Sequence, residues 1–266
     1  MRKWILLLMS VLLPSIVMAQ KCDVLLSKKY LKDSWHCGLS VVSQPARYDW
    51  KDWVVTAGVL TATGLSFAFD DEINDIIKSS CSENFQSISG GFGILGEEYV
   101  LFPLAFGMYA ISAINKDCRL RTASLAVIQT LIFTEVAVAG VKVLSCRARP
   151  DEGVGSMQWN GPFSDLSSTS FVSGHAARAF AVAATVSGIY NNKVWVGVTA
   201  YSLATLVSCQ RLVAMKHWTS DVLFGAALGY FIGRGVAKFN NRLKNIDNLT
   251  VIPFSDGYGI GVALKF

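Results

Sequence analysis

Charged residues are scarce in this 266-residue sequence: they make up 16% of the chain, against 52% hydrophobic residues. This balance is too apolar for an ordinary soluble enzyme and indicates lipid contact or a heavily buried helical body. The net charge of +5 is spread out, with no basic stripe interleaved with aromatics, so nucleic acid is not an expected partner. CxxC pairs and His/Cys clusters with metal-ligand spacing are also missing, and we expect no metal.

The N-terminus MRKWILLLMSVLLPSIVMA has two basic residues before a long apolar run and ends in the small Ala19. We therefore expect a bacterial export signal at 1–19, with an uncleaved anchor as the alternative. The chain after it would begin in an oxidising compartment, where Cys22 and Cys37 could close a short disulfide loop. The other four cysteines lie in or beside apolar segments, and we expect buried free thiols there.

Six apolar runs rich in Ala, Val, Leu and Gly predict an all-α bundle of six helices, embedded in a membrane. The runs lie at about 54–69, 100–114, 123–144, 176–190, 193–214 and 222–236. We expect an irregular, partly amphipathic segment at 20–53, and a loop at 70–98 with an acidic start and a glycine-rich middle. The tail 246–266 alternates apolar and small residues around Asp256-Gly257, which predicts a short C-terminal β-hairpin.

Two polar patches flank one loop in this apolar sequence. Lys142 lies within the third predicted helix, where a lysine is costly unless an anion meets it, and Arg149 follows at the end of that helix. Ser173, Gly174 and His175 lie at the start of the fourth helix. Free backbone N–H groups and the helix dipole make such a helix start a site for anions.

A third patch, after two further helices, contains Arg211, His217 and Asp221. On a helix, the spacing of four between His217 and Asp221 lets the carboxylate hold one ring nitrogen and leaves the other aimed into a site. This describes an oriented nucleophile or base. With a second histidine, several cationic side chains and a helix N-terminus, the inventory suits a phosphate ester with a leaving group to protonate.

Each patch alone also has a structural explanation. Lys142 could snorkel to an interface, and Arg147 with Arg149 could be the positive flanks of a span. Ser173 could be only a helix cap, and His217 with Asp221 only a capping pair. The order of the helices, however, brings all three patches to one face of the bundle. Separate structural roles do not predict that convergence.

The series Lys142-x6-Arg149-Pro150, Ser173-Gly174-His175 and Arg211-x5-His217-x3-Asp221 is similar to the three-part signature of the type 2 phosphatidic acid phosphatase (PAP2) superfamily. That superfamily includes lipid phosphatases, bacterial acid phosphatases and vanadium haloperoxidases. The resemblance covers about residues 54–237 and implies a PAP2-type phosphatase domain, which we place at 54–245.

The resemblance also implies a role for each matching residue. His217 would attack phosphorus to give a phosphohistidine, Asp221 would orient His217, and His175 would protonate the leaving oxygen. The phosphoryl oxygens would be held by Lys142, Arg149, Ser173, Gly174 and Arg211. No cofactor and no metal is implied.

Two positions depart from the family pattern: Val172 stands where proline is usual, and Gln210 where serine is usual. Arg147 and Arg178 lie outside the signature. We expect Arg147 to add charge near the site, and Arg178 either to lie one turn deeper than His175 or to pair with Glu135.

The expected function is removal of phosphate from a lipid-linked phosphomonoester or pyrophosphate, such as undecaprenyl pyrophosphate, lipid A or phosphatidic acid. The alternatives are an exported acid phosphatase acting on soluble phosphomonoesters and a non-catalytic membrane protein that binds anionic lipid. A haloperoxidase is a weaker alternative, because it requires bound vanadate.

Basic residues at the end of the bundle opposite the three patches indicate an inner-membrane protein with its site facing the periplasm. They are Lys116, Arg119, Arg121, Lys193, Arg234, Lys238, Arg242 and Lys244. A cleaved export signal followed by six full spans would place the site inside instead. An interfacial position of the run 54–69, or a peripheral bundle with no spans, would reconcile the two.

Overall fold

The computed structural model describes residues 28–164 and 169–247 and two short strands beyond them. The predicted signal at 1–19, Cys22 and the turn at Asp256-Gly257 lie outside the described residues.

Nine α-helices lie in the described part of the chain. They are α1 (Lys28–Val42), α2 (Trp50–Ala68), α3 (Asp70–Ser80), α4 (Glu83–Ile94), α5 (Glu98–Ile114), α6 (Cys118–Ser145), α7 (Gly174–Ile189), α8 (Val194–Val213) and α9 (Thr219–Asp247). The strands β1 (Leu249–Pro253) and β2 (Ile260–Leu264) pair antiparallel, with Val251 opposite Val262. The six predicted helices correspond to α2 and α5 to α9, and three further helices were not predicted.

The predicted loop at 70–98 is wrong, because α3 and α4 occupy most of it. The carboxylates of Asp70, Asp71 and Glu72 lie in the first turn of α3, where they interact favourably with the helix dipole. The segment 20–53 is likewise not irregular throughout, since it contains α1, which packs on α9 and buries Cys37 completely.

A row of three glycines lets α9 lie directly against α7. A Cβ added at Gly229 would lie 2.0 Å from the carbonyl oxygen of Ala177, and one at Gly233 would lie 2.2 Å from that of Ala181. One turn earlier, Gly225 contacts the carbonyl of Ser173 in the same way. We call this row the glycine seam; it holds the N-termini of α7 and α9 together at one end of the bundle.

The helices have the length and composition of a membrane protein. Three of them can cross a bilayer: α6, α8, and α9 over Thr219–Leu243. The pair α2 and α3, bent by 70°, gives a fourth candidate span. Asp52 near the start of α2 pairs with Arg234 of α9, and Phe67 near the end of α2 stacks on Arg147. The helix therefore runs along the bundle, which does not support the expected interfacial position of the run 54–69.

The cysteines pair differently from the prediction. Cys37 is a free, fully buried thiol, so its expected bond with Cys22 is wrong. Cys118, at the start of α6, is disulfide-bonded. The remaining described cysteines are free.

Candidate active site

The three polar patches meet around one cavity of about 390 Å³ at the end of the bundle where α6 ends and α7 and α9 begin. Six of the eight predicted site residues line it: Lys142, Arg149, Gly174, His175, Arg211 and His217. Ser173 and Asp221 lie behind its wall. The convergence expected from the order of the helices is therefore present.

Lys142 and Arg149 bring two cations to the cavity from the end of α6 and the turn after it. Lys142 Nζ donates to the carbonyl oxygen of Thr169 at 2.8 Å, which uses one of its three protons. Arg149 Nε is buried and has no hydrogen-bond partner among the described residues. Because an unpaired buried donor is costly, this guanidinium is ready for an anionic acceptor.

Ser173 caps α7 instead of facing the cavity. Its Oγ accepts from the backbone N–H of Ala176 at 3.5 Å, and its own N–H donates to the carbonyl of Asp221 at 3.1 Å. The first helical residue, Gly174, does line the cavity. The helix start thus faces the site through backbone, as an anion-binding N-terminus does.

His175 is surrounded by charged side chains. Arg178 Nη2 lies 3.4 Å from its Nδ1, and at Nε2 both Arg211 Nη1 and the Glu97 carboxylate lie at 3.1 Å. Burial, followed by the cations Arg211 and Arg178, lowers the pKa of His175 to about 2. The ring is therefore neutral, and only one of its two nitrogens can accept a hydrogen bond from the guanidinium beside it.

His217 lies in the turn before α9 and is buried, with its ring oriented by the main chain. Its Nδ1–H donates to the carbonyl oxygen of Ser170 at 2.9 Å, while the nearer carboxylate oxygen of Asp221 is 3.8 Å away. Nε2 has no hydrogen-bond partner in the described residues and belongs to the cavity wall. Burial lowers the pKa of His217 although Asp221 opposes the shift, so the ring is neutral at neutral pH.

The two arginines outside the signature differ from each other in position. Arg147 lies near the site, as expected, but not in the cavity: it is completely buried behind Asp221, whose carboxylate it contacts at 2.6 Å. Arg178 does pair with Glu135, at 2.8 Å. It also bonds Glu98 at 3.0 Å and, through Nε, the carbonyl of Gly96, so that it ties α7 to the turn before α5.

Two carboxylates of the cavity, Glu97 and Glu98, were not revealed by the sequence. Glu97 and Glu98 come from the turn and first residue of α5, within the segment expected to be a loop, and no motif marks them. Of the two departures, Gln210 accepts from Arg211 Nε at 2.7 Å and so orients that guanidinium. Val172 is fully buried and packs with Val138 and Ala177.

Comparison with known proteins agrees with this geometry. Residues 123–244 match the PAP2 superfamily. A lipid A 1-phosphatase of Porphyromonas gingivalis is 42% identical over 65 residues, a stretch that covers 24% of this chain and 15% of that protein. The matched residues include all eight predicted site residues, and over this part the chain is similar to the PAP2 superfamily.

Two solved structures resemble this protein. One is LpxE of Aquifex aeolicus, 25% identical, with a TM-score of 0.49, covering 64% of this chain and 95% of that one. The other is a transmembrane PAP2-type phosphatidylglycerolphosphate phosphatase from Bacillus subtilis, 20% identical, with a TM-score of 0.51. The match covers 82% of this chain and 98% of the Bacillus chain, and this likeness establishes the fold.

Proposed function

We propose that this protein is a membrane phosphatase that removes phosphate from a lipid-linked phosphomonoester or pyrophosphate without a metal. The observation that carries the proposal is the cavity itself. Lys142, Arg149 and Arg211 converge there on the start of α7, beside a neutral histidine with a free ring nitrogen. A tetrahedral dianion satisfies these donors, including the unpaired Nε of Arg149.

The proposed chemistry has two steps. The bound phosphate dianion raises the pKa of His175, whose ring takes a second proton from solvent. The lone pair of His217 Nε2 then attacks phosphorus, the P–O bond to the leaving group breaks, and the His175 imidazolium gives a proton to the leaving oxygen. Water then attacks the phosphohistidine, His175 takes a proton from that water, and phosphate departs with His217 restored. The cations stabilise the charge that builds on the equatorial oxygens.

A lipid substrate is favoured over a soluble one because the cavity lies at one end of helices that can cross a bilayer. The wall also includes apolar surface of α6 at Val138 and Ala139, and Val136 beside them is exposed. The Porphyromonas relative is a lipid A 1-phosphatase, which makes the phosphate of lipid A the first substrate to test.

The test is release of inorganic phosphate by detergent-solubilised protein from lipid A, undecaprenyl pyrophosphate, phosphatidic acid and a soluble aryl phosphate. We expect release from at least one lipid, and none after His217→Ala, because no covalent intermediate can form. His36→Ala is the matched control, since His36 is exposed on α1. Equal rates in wild type and His217→Ala would refute the enzyme and favour a lipid-binding protein, whereas release from the aryl phosphate alone would favour an acid phosphatase.

We further propose that the protein lies in the inner membrane with its cavity facing the periplasm. Lys116, Arg119 and Lys193 lie at the opposite end of the bundle, which the positive-inside rule assigns to the cytoplasm. The disulfide of Cys118 at that end argues for the reverse orientation, because disulfides persist in oxidising compartments. Three basic residues at this end outweigh the single disulfide, so we assign this end to the cytoplasm.

Reporter fusions after Phe266 test this orientation, since α9 runs away from the cavity. We expect a fluorescent protein at this position to fold and fluoresce in the cytoplasm. An active alkaline phosphatase fusion there would place the cavity on the cytoplasmic side instead.

A further inference from the structure

We infer that Asp70 and Arg147 are positioning residues for the nucleophile, and that they act through Asp221 and Ser170. The inference rests on the proposed function and adds to it residues that the signature does not contain. Asp70 also lies on α3, outside the matched residues 123–244. It therefore makes an N-terminal helix part of the catalytic apparatus.

Arg147 is bound on nearly every side. Its Nη1 donates to Asp221 Oδ1 at 2.6 Å and to Ser220 Oγ at 2.7 Å, and its Nη2 donates to Asp70 Oδ2 at 2.8 Å. Nε donates to the carbonyl of Ser156 at 2.8 Å. The fork of the guanidinium thus fixes the Asp221 carboxylate in one rotation.

Aromatic rings enclose the same guanidinium. The rings of Phe67, Trp159 and Trp218 have their centroids 4.8 Å, 5.1 Å and 5.4 Å from the Arg147 Cζ atom. They exclude water and stabilise the cation, which leaves the two carboxylates as its counter-ions. A cation so held cannot turn toward the cavity.

Asp70 holds the other side of this arrangement. Its Oδ1 accepts from the backbone N–H of Ser220 at 3.0 Å, and its Oδ2 accepts from Ser220 Oγ. The first turn of α9 is thereby tied to α3. Because Asp70 and Asp221 share one guanidinium, neither carboxylate is fully neutralised, and negative charge remains behind His217.

Ser170 carries the position of Asp221 to the ring of His217. Its Oγ donates to Asp221 Oδ2, its N–H donates to the carbonyl of Arg147 at 2.7 Å, and its carbonyl accepts from His217 Nδ1. The carbonyl that selects the tautomer of the nucleophile is therefore fixed from both sides. This explains how Asp221 can orient His217 across 3.8 Å.

Asp70→Asn is the test variant, because it is nearly isosteric and replaces an oxygen that accepts from Arg147 by a donor. Replacing Arg147 itself would leave two buried carboxylates unpaired and could prevent folding. Ser170→Ala removes only the hydroxyl that reaches Asp221. Glu72→Gln, an exposed carboxylate in the first turn of the same helix, is the matched control.

The readout is the split between kcat and KM for phosphate release, with competitive inhibition by inorganic phosphate as a measure of phosphate binding. We expect kcat to fall about 10- to 100-fold in Asp70→Asn and in Ser170→Ala, as for a nucleophile displaced by a fraction of an ångström. KM and the inhibition constant of inorganic phosphate should stay within about twofold of wild type, because the cavity cations are untouched.

Unchanged kcat in Asp70→Asn, with an active wild type, would overturn the inference and leave the proposed function standing. A common loss of kcat and phosphate binding in both variants would also overturn it, since that is what a merely structural role produces. A wild type silent on every substrate would overturn the proposed function, and the inference with it.

Discussion

Replacing Gly229 by alanine tests whether close contact between α7 and α9 sets the geometry of the site. The added Cβ would lie 2.0 Å from the carbonyl oxygen of Ala177 and 2.8 Å from the carbonyl carbon. Both atoms belong to the backbone, so no change of rotamer relieves the clash. The two helices must move apart by roughly 1 Å or more to restore a normal contact.

The movement has consequences for both stability and activity. Overpacking costs about 1–3 kcal/mol, and a rigid backbone contact belongs at the upper end, which corresponds to a fall in Tm of about 6–12 °C. α7 carries His175 and α9 begins just after His217, so the proposed acid and the proposed nucleophile separate as the helices do. A misplacement near 1 Å lowers activity about 100-fold.

Gly107→Ala is the matched control for this experiment. Gly107 lies inside α5, and no atom lies within 4 Å of the Cβ that would be added there. Alanine at such a position favours the helix by up to about 1 kcal/mol, so Tm should hold or rise. Thermal unfolding in detergent and phosphate release are measured for both variants. Equal Tm and equal activity in the two would refute the idea that the glycine seam positions the site.

Three further predictions concern the charges of the cavity. Arg178→Met leaves Glu98 and Glu135 without their shared guanidinium, so KM for the phosphate substrate should rise about 10-fold and Tm should fall. Adding Glu135→Gln should recover part of both losses, and an unchanged KM in Arg178→Met would contradict this prediction. Carbethoxylation of His217 can be followed by peptide mass spectrometry, and only the neutral ring reacts. Because the pKa of His217 is lowered, labelling should stay at its plateau below pH 6.5, and half-maximal labelling at or above pH 6.5 would argue against the lowered pKa. Phosphate release should survive EDTA and be inhibited by vanadate, a mimic of the five-coordinate transition state, and activity that EDTA removes and magnesium restores would point to a metal-dependent site instead.

The gathering of the site could be predicted from the sequence because its residues follow the order of the helices. Lys142 and Arg149 end one helix and His175 begins the next, so the chain alone places them at the same end. His217 follows two crossings later, which returns it to that end. Elementary topology, together with the cost of a lysine in an apolar helix, was sufficient here.

The supporting residues were not predictable in this way, because their partners are distant in the chain. Asp70 is 77 residues from Arg147 and 150 from Ser220, and an acidic run after an apolar segment also fits an exposed loop. The hydrogen bond from His217 to Ser170 uses a carbonyl, which no side-chain pattern can reveal. The spacing of His217 and Asp221 predicted a direct contact, whereas His217 lies before the first residue of α9 and the helical spacing rule does not apply to it.

The carboxylates of the cavity change how the acid step should be understood. The Glu97 carboxylate and Arg211 Nη1 both lie 3.1 Å from His175 Nε2, so an acceptor and a donor stand beside this nitrogen. A bound phosphate dianion would bring its oxygens to the same donors and compete with Glu97 for them. Burial, and after it the cations Arg211 and Arg178, hold the pKa of His175 near 2; the dianion would neutralise these cations, so the pKa rises when substrate binds. In the proposed mechanism, His175 thus becomes an effective proton donor only in the presence of the group that it must protonate.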